Sequence, residues 1–167
     1  MFDDVLRANE IYAASFDLAD VPARPARGLG LVTCIDSRID PLAVLGLRTG
    51  DAKIMRNAGG RVTGDVLRSL AAAVNMLGVD RVVVMHHTDC AMAKVTQAEV
   101  AEAARRQRGS ADIPDFCVIS DPLRDLQTDV TTVRTSPLLP ADLAVIGLRY
   151  DVATGRTLEE VPLHATA

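Results

Sequence analysis

Three short apolar runs, each breaking off into a cluster of polar and sulfur-bearing residues, constrain this chain most. They are LGLVTCID at 29–36, AKIMRN at 52–57 and RVVVMHH at 81–87. An apolar run of this length bounded by polar residues reads as a strand buried on both faces, as in a parallel sheet. Helical patterns alternate with these runs. In TGDVLRSLAAAVNMLG (63–78), Val66, Leu67, Leu70, Ala71, Val74 and Leu77 keep helical spacing, Thr63 is a candidate cap and Gly78 a candidate stop. Residues 96–109 open with a capping box, Thr96 to Glu99, and close on Gly109 after Arg105, Arg106 and Arg108, basic residues that complement a helix end. Residues 121–136 form a further helix, with Ser120 as its cap and Leu123, Leu126, Val130 and Val133 on one face. Strands are expected at 115–120 and 143–152, with a return to about residue 161 as an antiparallel edge.

Strands alternating with helices predict an α/β fold, a central and mostly parallel sheet flanked by helices. The length, 167 residues, suits one domain, 1–167. A first helix over 2–16 carries Phe2, Val5, Leu6, Ile11, Tyr12 and Phe16 without one clean stripe, and a Pro- and Gly-rich linker follows at 20–30. Residues 1–20 are therefore expected to be a helical arm that packs away from its own core, on a partner subunit.

Parallel sheets bind ligands beyond the carboxyl ends of their strands. Three clusters stand at those ends: Cys34-Ile35-Asp36-Ser37-Arg38, Arg56-Asn57-Ala58-Gly59-Gly60 and His86-His87-Thr88-Asp89-Cys90. If the first and third strands are neighbours, Cys34, His87 and Cys90 share one rim. Two thiolates and an imidazole with a fourth position open is a catalytic zinc arrangement, whereas a structural site closes with a fourth Cys or His. The remaining cysteine, Cys117, between Phe116 and Val118, reads as a small buried hydrophobe. Asp36 and Arg38 are two apart and share a face of an extended segment. The guanidinium fork can grip the carboxylate and keep it ionised. Asp36 then either orients a water at the metal or, in a closed form, becomes a metal ligand itself. His86 is open to two readings, a proton relay or a structural histidine. His164 sits in a terminal tail.

Together, Cys34-x-Asp36-x-Arg38, RNAGG and HHTDC resemble the β-class carbonic anhydrases, in the short, archaeal-type prokaryotic branch. The resemblance extends through GDAKIMRNAG, GDVLRSLAAAVNMLG, TSPLLP and GLRYDVATGR, from about residue 1 to 161. It implies the sheet order 2-1-3-4 plus an edge strand, a homodimer or a tetramer of dimers, and a first helix crossing onto the partner. It implies Zn2+ at Cys34, His87 and Cys90, with Asp36 and Arg38 as a catalytic dyad in the reversible hydration of carbon dioxide to bicarbonate. In some members the aspartate closes the site in an inactive form. Asn57, Ala58 and Gly59 match a supporting loop. One departure is Ala91, where the family usually has Gly; a positive φ there would cost about 1–2 kcal/mol.

Two alternatives remain open. One is hydrolysis of carbonyl sulfide or carbon disulfide on the same scaffold. The other is a non-catalytic, zinc-stabilised dimer that binds bicarbonate or a protein partner. A nucleotide-binding module is disfavoured, because Gly28-x-Gly30 precedes its strand and no phosphate loop opens a helix after it. Nucleic acid is not expected as a partner: 18 Lys+Arg face 22 Asp+Glu, and aromatics are 3% with no Trp. No apolar run reaches the ~18–20 residues of a membrane span. The acidic start MFDDVLRANE lacks the order of a secretory leader, and three cysteines are too few for a disulfide scaffold. Both point to the cytoplasm.

Overall fold

The computed structural model describes residues 1–108 and 113–163. Gly109 and His164 lie outside them. The strands are β1 (Leu29–Cys34), β2 (Ala52–Asn57), β3 (Arg81–His87), β4 (Ala144–Tyr150) and β5 (Thr157–Val161). The helices are α1 (Asp3–Ala14), α2 (Pro41–Val44), α3 (Gly64–Leu77), α4 (Gln97–Arg108) and α5 (Pro122–Arg134). The five strands form one sheet in the order β2-β1-β3-β4-β5. β1 pairs in parallel with β2 and β3, β3 in parallel with β4, and β5 returns antiparallel on β4. The sheet is therefore mostly parallel, in the expected order. Its β1, β2 and β3 all finish at the same edge.

Successive strand residues point to opposite faces, so each apolar run feeds two cores. Val32, Val82, Val84 and Val145 pack with Val66 and Leu70 of α3 and with Leu126, Val130 and Val133 of α5. Leu31, Val83 and Met85 pack on the other face with Ile39, Ile119 and Tyr150. The same alternation separates His86 from His87.

Helix ends follow the local chemistry. Thr63 caps α3, accepting from Val66 N at 3.4 Å, and Gly78 ends it in the left-handed region at φ 80°. The Thr96–Glu99 box forms as expected: Thr96 N donates to Glu99 Oε2 at 2.7 Å, and Glu99 N donates to Thr96 Oγ1 at 3.2 Å. The cap of α5 is Asp121 rather than Ser120, with its carboxylate accepting from Arg124 N at 3.1 Å. A carboxylate is the stronger acceptor for a helix N-terminus.

Residues 115–120 are not a strand. The Asp115 carboxylate accepts from Cys117 N at 2.8 Å, and Cys117 takes a left-handed φ of 52°. A side chain that binds the backbone two residues on competes with strand pairing. Cys117 is consequently half-buried in an irregular segment, not a buried strand residue. The short α2, capped by Asp40, was not anticipated. None of the residues of α1 is buried. Among the described residues, no helix is long and apolar enough to cross a membrane.

Candidate active site

The shared edge of β1 and β3 brings Cys34, His87 and Cys90 together. One ligand atom from each lies within 4.8 Å of the others, and all three residues are buried. Cys34 Sγ and Cys90 Sγ are 4.0 Å apart. Two sulfurs bound at about 2.3 Å to one tetrahedral ion would stand about 3.8 Å apart. His87 Nδ1 donates to Thr88 O at 2.8 Å, which assigns the ring proton to that nitrogen. His87 Nε2 is left as a buried lone pair with no hydrogen-bond partner. A buried nitrogen without a partner is costly unless something binds it. The residues therefore fit a thiolate-loving divalent ion. Of the two thiols one ionises first: the Cys90 thiol bonds to Cys34 and lowers it, and the same bond raises Cys90.

Asp36 lies beside this group, with Oδ2 3.9 Å from His87 Nε2. Arg38 holds it from two sides of the fork: Nε donates to Oδ1 at 2.9 Å and Nη2 to Oδ2 at 2.7 Å, while the Arg38 backbone N–H also donates to Oδ1 at 2.9 Å. The Arg38 hydrogen bond holds the Asp36 carboxyl well below the usual carboxylate range. Arg38 is itself anchored by Asp89, through Nη1 to Oδ2 at 2.8 Å and Nη2 to the carbonyl at 3.1 Å. Lys94 and then Arg38 lower Asp89 to about 2. Asp89 reaches both cations from a left-handed φ of 56°.

The neighbouring strand braces this loop. Arg56, in β2, donates from Nε to Cys34 O and from Nη2 to Asp36 O, each at 2.8 Å. The RNAGG turn lies flat on β1. At Gly60 (φ 68°) a Cβ would fall 2.9 Å from Cys34 N and 3.0 Å from Thr33 C. Only glycine fits so close an approach in that conformation. Asn57 closes the turn with Arg61: its Oδ1 accepts from Arg61 N and its Nδ2 donates to Arg61 O, both at 2.8 Å.

His86 faces the other side of the sheet. It is buried, and its Nε2 donates to Asp129 Oδ2 at 3.0 Å, which gives it a structural bond away from the Cys34–His87–Cys90 group. Ala91 is exposed and is not among the residues of positive φ, so the missing glycine carries no backbone strain. Cys117 is not part of the sulfur–imidazole group.

Sequence pattern alone gives no role to Arg56, Asp89, Arg61 or Asp129. Asp129 left a readable signal: it falls between Leu126 and Val130 on the apolar stripe of its helix. Arg56 and Asp89 lie within the RNAGG and HHTDC motifs, but their partners are 22 and 51 residues away.

Comparison with known proteins bears on the family and the fold. A carbonic anhydrase family model matches residues 30–115. Beta-carbonic anhydrase 1 of Mycobacterium tuberculosis is 32% identical over 160 residues, spanning 96% of this chain and 98% of the relative. A carbon disulfide hydrolase of an Acidianus species is 32% identical over 154 residues, spanning 78% of this chain and 76% of the relative. The crystal structure of a carbonic anhydrase from Streptococcus mutans matches with a TM-score of 0.88 at 42% identity, covering 95% of this chain and 96% of that one. By length of match, by fold and by the residues at its strand ends, the chain belongs to the β-carbonic anhydrase family.

Proposed function

We propose that the protein catalyses the reversible hydration of carbon dioxide to bicarbonate, with Cys34, His87 and Cys90 holding a zinc ion and with Asp36 and Arg38 as the catalytic pair. The observation that carries this reading is the unpartnered His87 Nε2 beside two buried sulfurs, with an ionised carboxylate at hand. A zinc ion there would supply Lewis acidity and a water far more acidic than bulk water.

The chain's residues do the rest. Asp36 accepts a hydrogen bond from the attacking water and so turns its lone pair toward the substrate carbon. Arg38 keeps that carboxylate charged and rotationally fixed, because both Asp36 oxygens are engaged. Asp89 stops Arg38 from swinging away with it. Arg56 holds the Cys34 and Asp36 carbonyls, and hence the distance between thiolate and carboxylate. Carbon dioxide and water become bicarbonate and a proton, and the proton leaves to solvent buffer. A closed form, with Asp36 on the metal, requires Asp36 to give up its bonds to Arg38.

The test is carbon dioxide hydration from about pH 6.5 to about 9, with zinc measured on the same sample. Two thiolates offset the ion's charge and leave its water less acidic than in a three-histidine site, so activity should rise toward alkaline pH. A full zinc load without hydration across that range refutes the proposal, and inactivity toward carbonyl sulfide and carbon disulfide as well favours the non-catalytic dimer. A second reading, carbon disulfide hydrolysis, draws support from the carbon disulfide hydrolase relative. It uses the same attack on a linear triatomic molecule, and parallel assays with carbon dioxide, carbonyl sulfide and carbon disulfide separate the two.

We also propose that the active form is a homo-oligomer in which α1 docks on a second copy. Phe2, Val5, Leu6, Ile11, Tyr12 and Phe16 are all exposed on the arm and its exit, and apolar patches of this kind mark association surfaces. The three free cysteines suit a reducing cytoplasm.

A further inference from the structure

A second buried polar cluster lies on the opposite face of the sheet, and the reaction does not use it. Asp129 of α5 is 3% exposed and accepts from Arg61 Nε at 2.7 Å and from His86 Nε2 at 3.0 Å. Arg61 also meets Asp125, with Nη2 3.6 Å from Oδ1, and donates from Nη1 to the carbonyls of Cys117 at 3.1 Å and Val118 at 3.2 Å. Buried charges are expensive, and apolar packing of similar volume often serves stability as well. The cluster's value therefore has to be sought in what it connects.

It connects to each of the three segments that carry a sulfur or imidazole of the candidate site. Arg61 is joined through Gly60 to the close approach on Cys34 N, and its backbone is clasped by Asn57. The carbonyls it holds at 117 and 118 precede Ile119, whose N–H donates to Met92 O at 2.9 Å. Met92 sits in the short turn that begins right after Cys90. Asp129 holds His86, the residue before His87. One ion pair thus braces the Cys34, His87 and Cys90 segments from behind.

We propose that Arg61 and Asp129 are positioning residues of the metal centre, a buried hub that sets the mutual spacing of Cys34, His87 and Cys90 before metal binds. This rests on the reading of those three residues as zinc ligands. Partners that orient metal ligands matter because a site must be held to within roughly 0.5 Å to bind well.

The experiment measures zinc affinity of the full chain near neutral pH by competition with a chromophoric chelator, beside the thermal midpoint of the metal-free protein. The variants are Asp129→Asn, which keeps shape but loses charge, and Arg61→Lys, which keeps charge but loses the fork. Val130→Ala, also on α5, opens a cavity without touching the hub and serves as the control. The expected result is roughly 10- to 100-fold weaker zinc binding in both hub variants, with unchanged affinity in Val130→Ala even where its midpoint falls as far. If Asp129→Asn does not fold, Arg61→Lys carries the test. Zinc binding as tight as in the unchanged protein overturns the proposal, as does an equal loss in Val130→Ala. If the unchanged protein binds no zinc, the metal centre itself is overturned, and the hub with it.

Discussion

Gly60 couples the fold to the site through a single missing methyl group, and Gly60→Ala tests that coupling. The residue has φ 68°, so a Cβ there costs about 1–2 kcal/mol before any contact is counted. The new atom would also lie 2.9 Å from Cys34 N and 3.0 Å from Thr33 C, against 3.4 Å for ordinary contact. Both neighbours are backbone inside a strand paired on two sides, so no flexible side chain can yield. Clearing the overlap moves β1 or the turn by roughly 0.5 Å, and overpacking of this kind costs about 1–3 kcal/mol more. The control is Gly155→Ala: φ is 71°, and nothing lies within 4 Å of its Cβ position. It isolates the backbone cost. At about 2–4 °C per kcal/mol for a chain of this size, Gly155→Ala should lower the melting temperature by about 2–8 °C and Gly60→Ala by about 4–20 °C. Differential scanning calorimetry gives both values, and metal analysis on the same samples should show reduced zinc content in Gly60→Ala alone. Equal melting shifts in the two variants, with full zinc in each, would refute the close-approach argument.

Asp36→Asn and Arg38→Ala should retain zinc yet lose about 10²-fold or more in carbon dioxide hydration, because the water loses its oriented acceptor; undiminished turnover in either removes the pair from the mechanism. Asp129 should make stability depend on acid. Burial works to raise its pKa, but the bonds from His86 and Arg61 outweigh burial and depress it. Its contribution is therefore complete above the unfolded value of about 3.9 and is lost as pH falls through the lower folded value. Asp129→Asn should flatten the fall in stability below about pH 4 in denaturant titrations, and an unchanged slope speaks against a depressed pKa. Replacing Phe2, Leu6 and Ile11 with Ser should reduce the mass in sedimentation to that of a single chain, whereas an unchanged oligomer places the interface elsewhere.

Much of the fold was legible because the apolar runs are short, β-branched and bounded. RVVVMHH admits little but a buried strand, and the Thr96–Glu99 box is a local signature of a helix start. The 115–120 segment misled because Phe116, Val118 and Ile119 have strand-like composition, while the Asp115 side chain diverts the backbone at Cys117. That competition is decided by one local hydrogen bond, which composition does not weigh. The exposed arm was legible in part, since its apolar residues lack a single stripe, but what covers them is not written in one chain.

Local chemistry in the sequence determined most of the strand and helix types, the placing of Cys34, His87 and Cys90 just at the ends of their strands, and the Asp36–Arg38 pair, each of which is set within a few residues. Only the tertiary structure decided which strands lie side by side, that Cys34 meets His87 and Cys90, that His86 finds Asp129, and that Arg56, Asp89 and Arg61 reach their partners. Those contacts join residues dozens of positions apart. Their geometry follows from the register of neighbouring strands and the packing of helices upon them, which no local pattern of residues encodes.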